Sequence, residues 1–206
     1  MSFYEDRVLP HVINCACGSG TFHKQRAKVV PKAHGQVVEI GIGTGLNLSH
    51  YNAKQVERVI GIDPSTRSWE LAQERVAQVE FPVEYRGLSG DQLPLDDHSM
   101  DSAVITYSLC TIPNPVDALR EVKRVLKPGG SIWFSEHGLS PDVSVARWQD
   151  RINPIWKRIA GGCHINRDVT LLFQLADIDM VSCESMYLPK TPRIAGYNVC
   201  GHARVE

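Results

Sequence analysis

Three glycines at alternate positions, Gly41, Gly43 and Gly45, follow the apolar stretch Val37-Val38-Glu39-Ile40. A strand that ends in a glycine turn and leads into a helix lets backbone N–H groups approach a ligand closely. Position 46 is Leu46, where a dinucleotide fingerprint would place its third glycine, so a pyrophosphate has the weaker claim. Glu39, just before the turn, can accept from an ammonium group and would repel a phosphate. Asp63 ends the second apolar stretch, Val59-Ile60-Gly61-Ile62, and stands 22 residues after Gly41. A carboxylate there can take both hydroxyls of a ribose. Pro64-Ser65 follows it, so Asp63 could also cap a helix. Ser89-Gly90-Asp91 forms a third polar turn, suited to the edge of an adenine or simply to a chain reversal.

Reactive side chains cluster at the ends of two later apolar stretches. Tyr107 and Ser108 end Asp101–Tyr107, and Glu136-His137 end Ser131–Ser135. His137 is the first candidate for a base or a substrate-orienting group, because an imidazole titrates near neutrality. A histidine bonding a nearby helix end is the structural alternative. His164, beside Gly161-Gly162, is the second candidate. Cys110 and Cys163 could lie near a substrate and take a covalent or metal-thiolate role, although buried inert thiols are more common. The Cys15-x-Cys17 pair with His23 lacks zinc spacing, and no metal is expected. Trp133, Trp148, Trp156 and Phe173 read as core residues.

The elements that must position these groups alternate. Short strands are expected at 37–40, 59–62, 82–85, 101–107 and 131–135. Helices are expected at 46–53, 66–79, 116–127, 142–159 and 167–177, with two final antiparallel strands at 180–188 and 195–205. Such alternation gives a mainly parallel sheet with right-handed crossovers. Residues 3–33 read as two helices broken at Gly18-Ser19-Gly20. Residues 1–35 are thus expected to form a helical lid, and 36–206 the main domain.

Composition limits the partners. The 206 residues carry a formal net charge of -1, with 43% hydrophobic and 22% charged residues, which suits one folded domain. Neither a large basic face nor an Asn-Pro-Pro-Tyr-type motif argues for nucleic acid. Lys24, Arg26, Lys28 and Lys32 form a local basic stretch that reads as a solvated helix face, with an anionic substrate as the alternative. The N-terminal Glu5, Asp6 and Arg7 do not suit a signal peptide, and no stretch reaches membrane-spanning length. Six cysteines without a Cys-x-x-Cys pair suggest reduced thiols and a cytoplasmic location.

Taken together, residues 36–137 resemble the class I S-adenosylmethionine-dependent methyltransferases. The resemblance rests on the glycine turn, Asp63, Ser89–Asp91, Leu93-Pro94 with Asp101, and Leu119–Leu126 before Lys127-Pro-Gly129-Gly130. It implies a Rossmann-like α/β fold, a seven-stranded, mainly parallel sheet with a terminal antiparallel strand, and S-adenosylmethionine as methyl donor, with S-adenosylhomocysteine as product. By this resemblance Glu39, Gly41, Gly43 and Gly45 surround the methionine part, Asp63 and Pro64 the ribose, and Ser89, Gly90 and Asp91 the adenine. Tyr107 joins that set. Ser89-Gly90 departs from the more usual acidic residue and alanine.

A narrower likeness to the methyltransferase-like 7 group covers almost the whole chain. It is carried by Ser108-Leu-Cys110-Thr-Ile, Glu136-His137, Trp148-Gln149, Pro154-x-Trp156 and Gly161-Gly162-Cys163-His164-x-Asn166-Arg167. That group includes alkyl thiol S-methyltransferases, which implies a small-molecule acceptor and suggests a thiol. An oxygen, nitrogen or carbon acceptor of lipid-like or quinone-like type, and a non-catalytic cofactor-binding module, are the alternatives.

Overall fold

A computed structural model describes residues 7–206. Seven strands form one sheet: β1 (Gly35–Ile40), β2 (Val56–Ile62), β3 (Val83–Arg86), β4 (Met100–Thr106), β5 (Leu126–His137), β6 (Asp179–Tyr187) and β7 (Tyr197–Arg204). Their spatial order is β3-β2-β1-β4-β5-β7-β6. Strands β1 to β5 pair in parallel, and β7 runs antiparallel between β5 and β6. The chain leaves β1 toward β2 on one side and later returns to β4 on the other. That reversal opens a crevice beyond the carboxyl ends of β1 and β4, where ligands of open α/β sheets bind.

Both faces of the sheet are covered, so the central strands read as unbroken apolar runs rather than alternating ones. The two-residue period still sorts their side chains. Val38, Ile40, Ile60, Ile62, Ala103 and Ile105 join one core cluster. Val37, Val59 and Val104 join the other. Helix α4 (Pro115–Val125) covers the first face through Ala118, Leu119, Val122 and Val125, at helical spacing. Pro115 at its first turn needs no N–H partner there. Helix α3 (Thr66–Val76) starts at the Ser65 cap, whose hydroxyl accepts from the Ser68 N–H at 3.1 Å.

The N-terminal segment forms α1 (Leu9–Cys17) and α2 (Gly20–Val29), broken where Gly18-Ser19-Gly20 predicts. Residues 3–6 of the expected first helix lie outside the described residues. Helix α2 packs on β5 and β7. Thr44 Oγ1 donates to Asn14 Oδ1 at 2.7 Å, joining α1 to the glycine turn.

Three local expectations need correction. Residues 46–53 contain only a short 3-10 turn, Leu48–His50. The side chains of Asn47 and Tyr51 are drawn inward to Glu39, and this fixes a turn geometry that a full helix would not give. Strand β5 begins at Leu126, five residues before the expected start, because Met100 of β4 pairs with it before the register shift. Trp148 is exposed on α5 (Val143–Ile159), with Arg151 over its ring, rather than in the core.

Helix α5 carries a buried glutamine in place of another apolar residue. Gln149 Nε2 donates to the carbonyls of Gly138, Ile165 and Ile194 at 3.0, 2.9 and 3.0 Å, and its Oε1 accepts from Ser140 N–H at 2.9 Å. One side chain thereby ties the loops at 138–140 and 165 to the short helix that contains Ile194, through backbone groups that would otherwise be buried without a partner. Helices α6 (Val169–Leu175) and α7 (Arg193–Gly196) complete the chain. Among the described residues no helix is long and apolar enough to cross a membrane.

Candidate functional site

A cavity of about 520 Å³ opens at the crevice beyond β1 and β4. Its size suits a small-molecule or cofactor site. Of the residues singled out in the sequence, Glu39, Gly41, Gly43, Asp63, Pro64, Ser89, Gly90 and Tyr107 lie on its wall. Gly45, Asp91 and His137 do not.

Within the glycine turn the three glycines divide by what surrounds them. All three glycines have positive φ, at 73°, 50° and 74° for Gly41, Gly43 and Gly45. Beyond that they differ in what a side chain would meet. A Cβ on Gly41 would lie 2.1 Å from Ser108 Oγ, so this glycine lets β1 and the β4 loop come together. A Cβ on Gly45 would lie 2.9 Å from Leu48 and 3.3 Å from Ala72, so Gly45 permits close packing against α3. A Cβ on Gly43 would meet nothing closer than 3.8 Å.

Asp63 is fixed by the chain on both sides. Its Oδ2 accepts from Gly43 N–H at 3.0 Å and its Oδ1 from Ser65 N–H at 2.8 Å. Tyr85 of β3 donates its hydroxyl to the Asp63 carbonyl at 2.7 Å and stacks on Trp69. Burial pushes the Asp63 pKa up, and the two N–H donors hold it back. Each carboxylate oxygen keeps a second lone pair for a hydroxyl donor.

Glu39 is 1% exposed. Asn47 Nδ2 donates to its Oε1 at 3.0 Å, and Tyr51 donates to Oε2 at 2.6 Å. Burial raises its pKa to about 7, against the opposing pull of Tyr51, Asn47 and Arg26. Arg26 is the residue that sequence reasoning misplaced. Lys24, Lys28 and Lys32 are exposed as expected, but Arg26 is only 3% exposed and lies on the cavity wall. Its Nη1 donates to the Cys17 carbonyl at 2.8 Å, its guanidinium stands 4.9 Å from the Tyr107 ring centre, and its Nε has no partner. The signal was available: Arg26 lies three and four residues before the apolar Val29 and Val30 at the end of α2, a helical spacing that puts them on one side, and Lys24 and Lys28 do not share it.

Tyr107 itself has φ of 55°, unusual for a bulky side chain. Phe22 meets its ring edge-on at 4.8 Å. Its hydroxyl donates to Asn198 Oδ1 at 2.8 Å and accepts from Ser135 Oγ at 3.2 Å. Burial holds the phenol protonated, well above its ordinary range. Next to it, Glu136 is fully buried. Its Oε1 accepts from the N–H groups of Ser108 and Leu109 at 2.6 and 3.1 Å, and Oε2 has no partner. Burial raises this carboxyl to about 7 as well.

His137 stacks against Tyr107 at 6.4 Å between ring centres, and its Nε2 lies 3.2 Å from Cys163 Sγ. Burial opposes its protonation, but the Cys163 contact and the charge of Glu136 shift its pKa up on balance. His164 pairs with Asn153 at 3.3 Å, also off the cavity wall. Asp91 is half-buried, 3.5 Å from Asn114 Nδ2. The rest of the wall mixes polar side chains, among them Thr44, Arg67, Thr106 and Thr111, with an apolar set made of Leu9, Pro10 and Ile13 of α1 together with Ile112 and Pro113.

The wall therefore offers a fixed carboxylate with spare lone pairs, an open glycine, a buried carboxylate and a buried guanidinium. These are the donors and acceptors that a nucleoside bearing an amino acid requires, and they fit S-adenosylmethionine.

Comparison with known proteins gives the same direction. A family model described as a methyltransferase domain matches residues 38–134. A thiol S-methyltransferase of Rattus norvegicus is 34% identical over 169 residues, covering 78% of this chain and 68% of that protein. A demethylmenaquinone methyltransferase of Clavibacter sepedonicus is 32% identical over 122 residues, 59% of this chain and 49% of that protein. A solved SAM-dependent methyltransferase of Methanosarcina mazei superposes with a TM-score of 0.64 at 21% identity, covering 91% of this chain and 97% of that one.

Proposed function

Since this chain belongs to the S-adenosylmethionine-dependent methyltransferases, we propose that it methylates the sulfur of a small thiol. The carrying observation is the lack of a free strong base among the described residues of the cavity wall. Glu39 and Asp63 are each held by two donors, and Tyr107 is held as a protonated phenol. A thiol ionises on its own near pKa about 8.5 and needs little help. A phenol or alcohol would need a base or metal matched to its higher pKa. The identity to a thiol S-methyltransferase over 78% of the chain supports the same reading.

The bound donor supplies an electrophilic methyl group, and alignment with exclusion of water is left to the protein. Asp63 takes the ribose hydroxyls. Gly41 and Gly43 bring backbone close to the methionine part, Glu39 receives its ammonium, and Arg26 receives its carboxylate. Ser89 and Gly90 border the adenine between Ile40, Pro64 and Ile112. Gly45 and Asp91 act one step back, by shaping their turns. Tyr107 forms the floor beside the reacting groups. Helices α1 and α2, within residues 1–35, serve as a lid, supported by Leu9, Pro10 and Ile13 on the cavity wall. The six free cysteines favour a reducing compartment, consistent with a cytoplasmic site of action. A net charge of -1 favours a small acceptor over nucleic acid.

The runner-up is a quinone-like carbon acceptor, favoured by the identity to a demethylmenaquinone methyltransferase and by the apolar wall of Leu9, Ile13 and Ile112. A screen of alkyl thiols, phenols and quinols, read by S-adenosylhomocysteine formation, separates the two. Turnover confined to the thiols is expected; turnover confined to the quinols or phenols would overturn the thiol assignment.

A further inference from the structure

Behind the cavity wall, three side chains from three separate segments converge. Cys110 comes from the loop after β4, His137 from the end of β5, and Cys163 from the Gly161-Gly162 turn after α5. One ligand atom from each lies within 4.8 Å of the other two. Sequence spacing does not reveal the set, since 26 residues or more separate any two of its members.

We propose that Cys110, His137 and Cys163 bind one thiophilic divalent cation of the zinc class, leaving a fourth position for the acceptor thiol. Two thiolates and an imidazole are a zinc donor set, and three protein ligands with one open position mark reactive rather than structural sites. Metal–sulfur and metal–nitrogen bonds of about 2.3 and 2.0 Å place tetrahedral ligand atoms roughly 3.5–3.8 Å apart. His137 Nε2 and Cys163 Sγ are already at 3.2 Å, so closure needs only small side-chain movements.

The surroundings hold the ligands in place. Glu136 accepts from the N–H groups of Ser108 and Leu109, and Arg167 donates to the carbonyls of Leu109 and Ile112, which fixes the turn that carries Cys110. The His164 N–H donates to the Cys110 carbonyl at 2.8 Å, which ties the two cysteine loops together. Trp156 Nε1 points its N–H at Cys163 Sγ at 3.4 Å, a donor suited to a metal-bound thiolate. Such outer partners orient ligands at metal centres.

The set lies directly behind the cavity wall. Thr111, next to Cys110, and Gly161, two residues before Cys163, both lie on the cavity wall, as does Cys17. Cys110 is buried, while His137 and Cys163 are half-buried. An acceptor thiol that binds the cation there loses its proton to solvent. Its sulfur then forms the new S–C bond as the donor's bond to the methyl breaks. Only the identity of this fourth ligand rests on the thiol reading; the three-ligand site stands without it.

Cobalt is the probe. Purified protein, stripped with chelator under reducing conditions, is titrated with Co2+ alone. One equivalent should produce intense tetrahedral d–d bands and a sulfur-to-cobalt charge-transfer band. Cys110→Ser, Cys163→Ser and His137→Ala should each lose or weaken these bands, while Cys15→Ser and Cys183→Ser at exposed positions keep them. Native mass spectrometry of the unvaried protein keeps the test valid should a variant misfold: one bound zinc per chain is expected. A small alkyl thiol added to the cobalt form should shift the bands. Absence of bands and of zinc, recovery of Cys110 and Cys163 as a disulfide, or bands that survive in the three variants would overturn the site. Bands indifferent to added thiol would overturn the fourth ligand alone, and the acceptor screen decides the thiol reading independently.

Discussion

Tyr51 donates a 2.6 Å hydrogen bond to Glu39 Oε2, across the whole of the glycine turn. The turn therefore closes on itself: the strand that enters it and the residue that leaves it meet at one buried carboxylate. With Asn47 on the other oxygen, Glu39 can be buried without being unsatisfied. Removing the Tyr51 hydroxyl leaves that oxygen short of a donor. Tyr51→Phe should destabilise the fold by about 1–3 kcal/mol, measured by denaturant unfolding. A variant as stable as the parent would show that another donor takes the place of the Tyr51 hydroxyl at Oε2.

The same carboxylate makes stability depend on pH. Its folded pKa, about 7, lies above the ordinary 4.5, so the folded state holds a proton that the unfolded state releases. This contribution is fully present below about pH 4.5 and is lost as pH rises through 7. Glu39→Gln should therefore gain stability relative to the parent across that window. A stability difference that does not change with pH would contradict the upward shift.

Binding should move the same proton. If the ammonium of S-adenosylhomocysteine settles beside Glu39, it favours the ionised carboxylate and lowers its pKa. Calorimetry near pH 6.5, in buffers of different ionisation enthalpy, should show net proton release on binding. Glu39→Gln should abolish that release. Equal proton release in the variant would assign it to another group.

Asp63 and Arg26 should divide the donor's affinity between them. Asp63→Ala removes the ribose acceptor and also frees the Gly43 N–H, so S-adenosylhomocysteine affinity should fall at least tenfold, roughly the worth of one charge-assisted bond. Arg26→Lys keeps the charge but loses the planar fork and its stacking on Tyr107, and should weaken binding severalfold. Lys24→Ala, on the exposed face of the same helix, should leave affinity unchanged. Equal losses for Arg26 and Lys24 would mean that the buried guanidinium serves folding only.

Gly41→Ala tests close approach separately from ligand contact. The added methyl would overlap Ser108 Oγ, and φ is 73°. Melting should reveal a loss of about 1–3 kcal/mol. Gly43→Ala has room for its methyl and should lose ligand affinity more than stability. The reverse order would exchange the roles of the two glycines.

Much of the fold is legible in the sequence, because its signals are local. Apolar runs ending in Gly41 and Asp63, and the helical stretch expected at 116–127, are read within a few residues of themselves. Part of the cavity wall was legible for the same reason: each strand delivers its own carboxyl-terminal residue to the same sheet edge, and Glu39, Asp63 and Tyr107 line the cavity there. Tertiary structure alone decided what depends on which chain segments meet. It turned Arg26 from an exposed helix face into the cavity wall, because α2 packs on β5 and β7. It made Gly45 a packing residue, since Leu48 and Ala72 lie across from it. It also took His137 off the cavity wall and set it beside Cys110 and Cys163. No spacing rule reaches that last grouping, because contacts between distant segments are fixed by how the sheet orders its strands and not by distance along the chain.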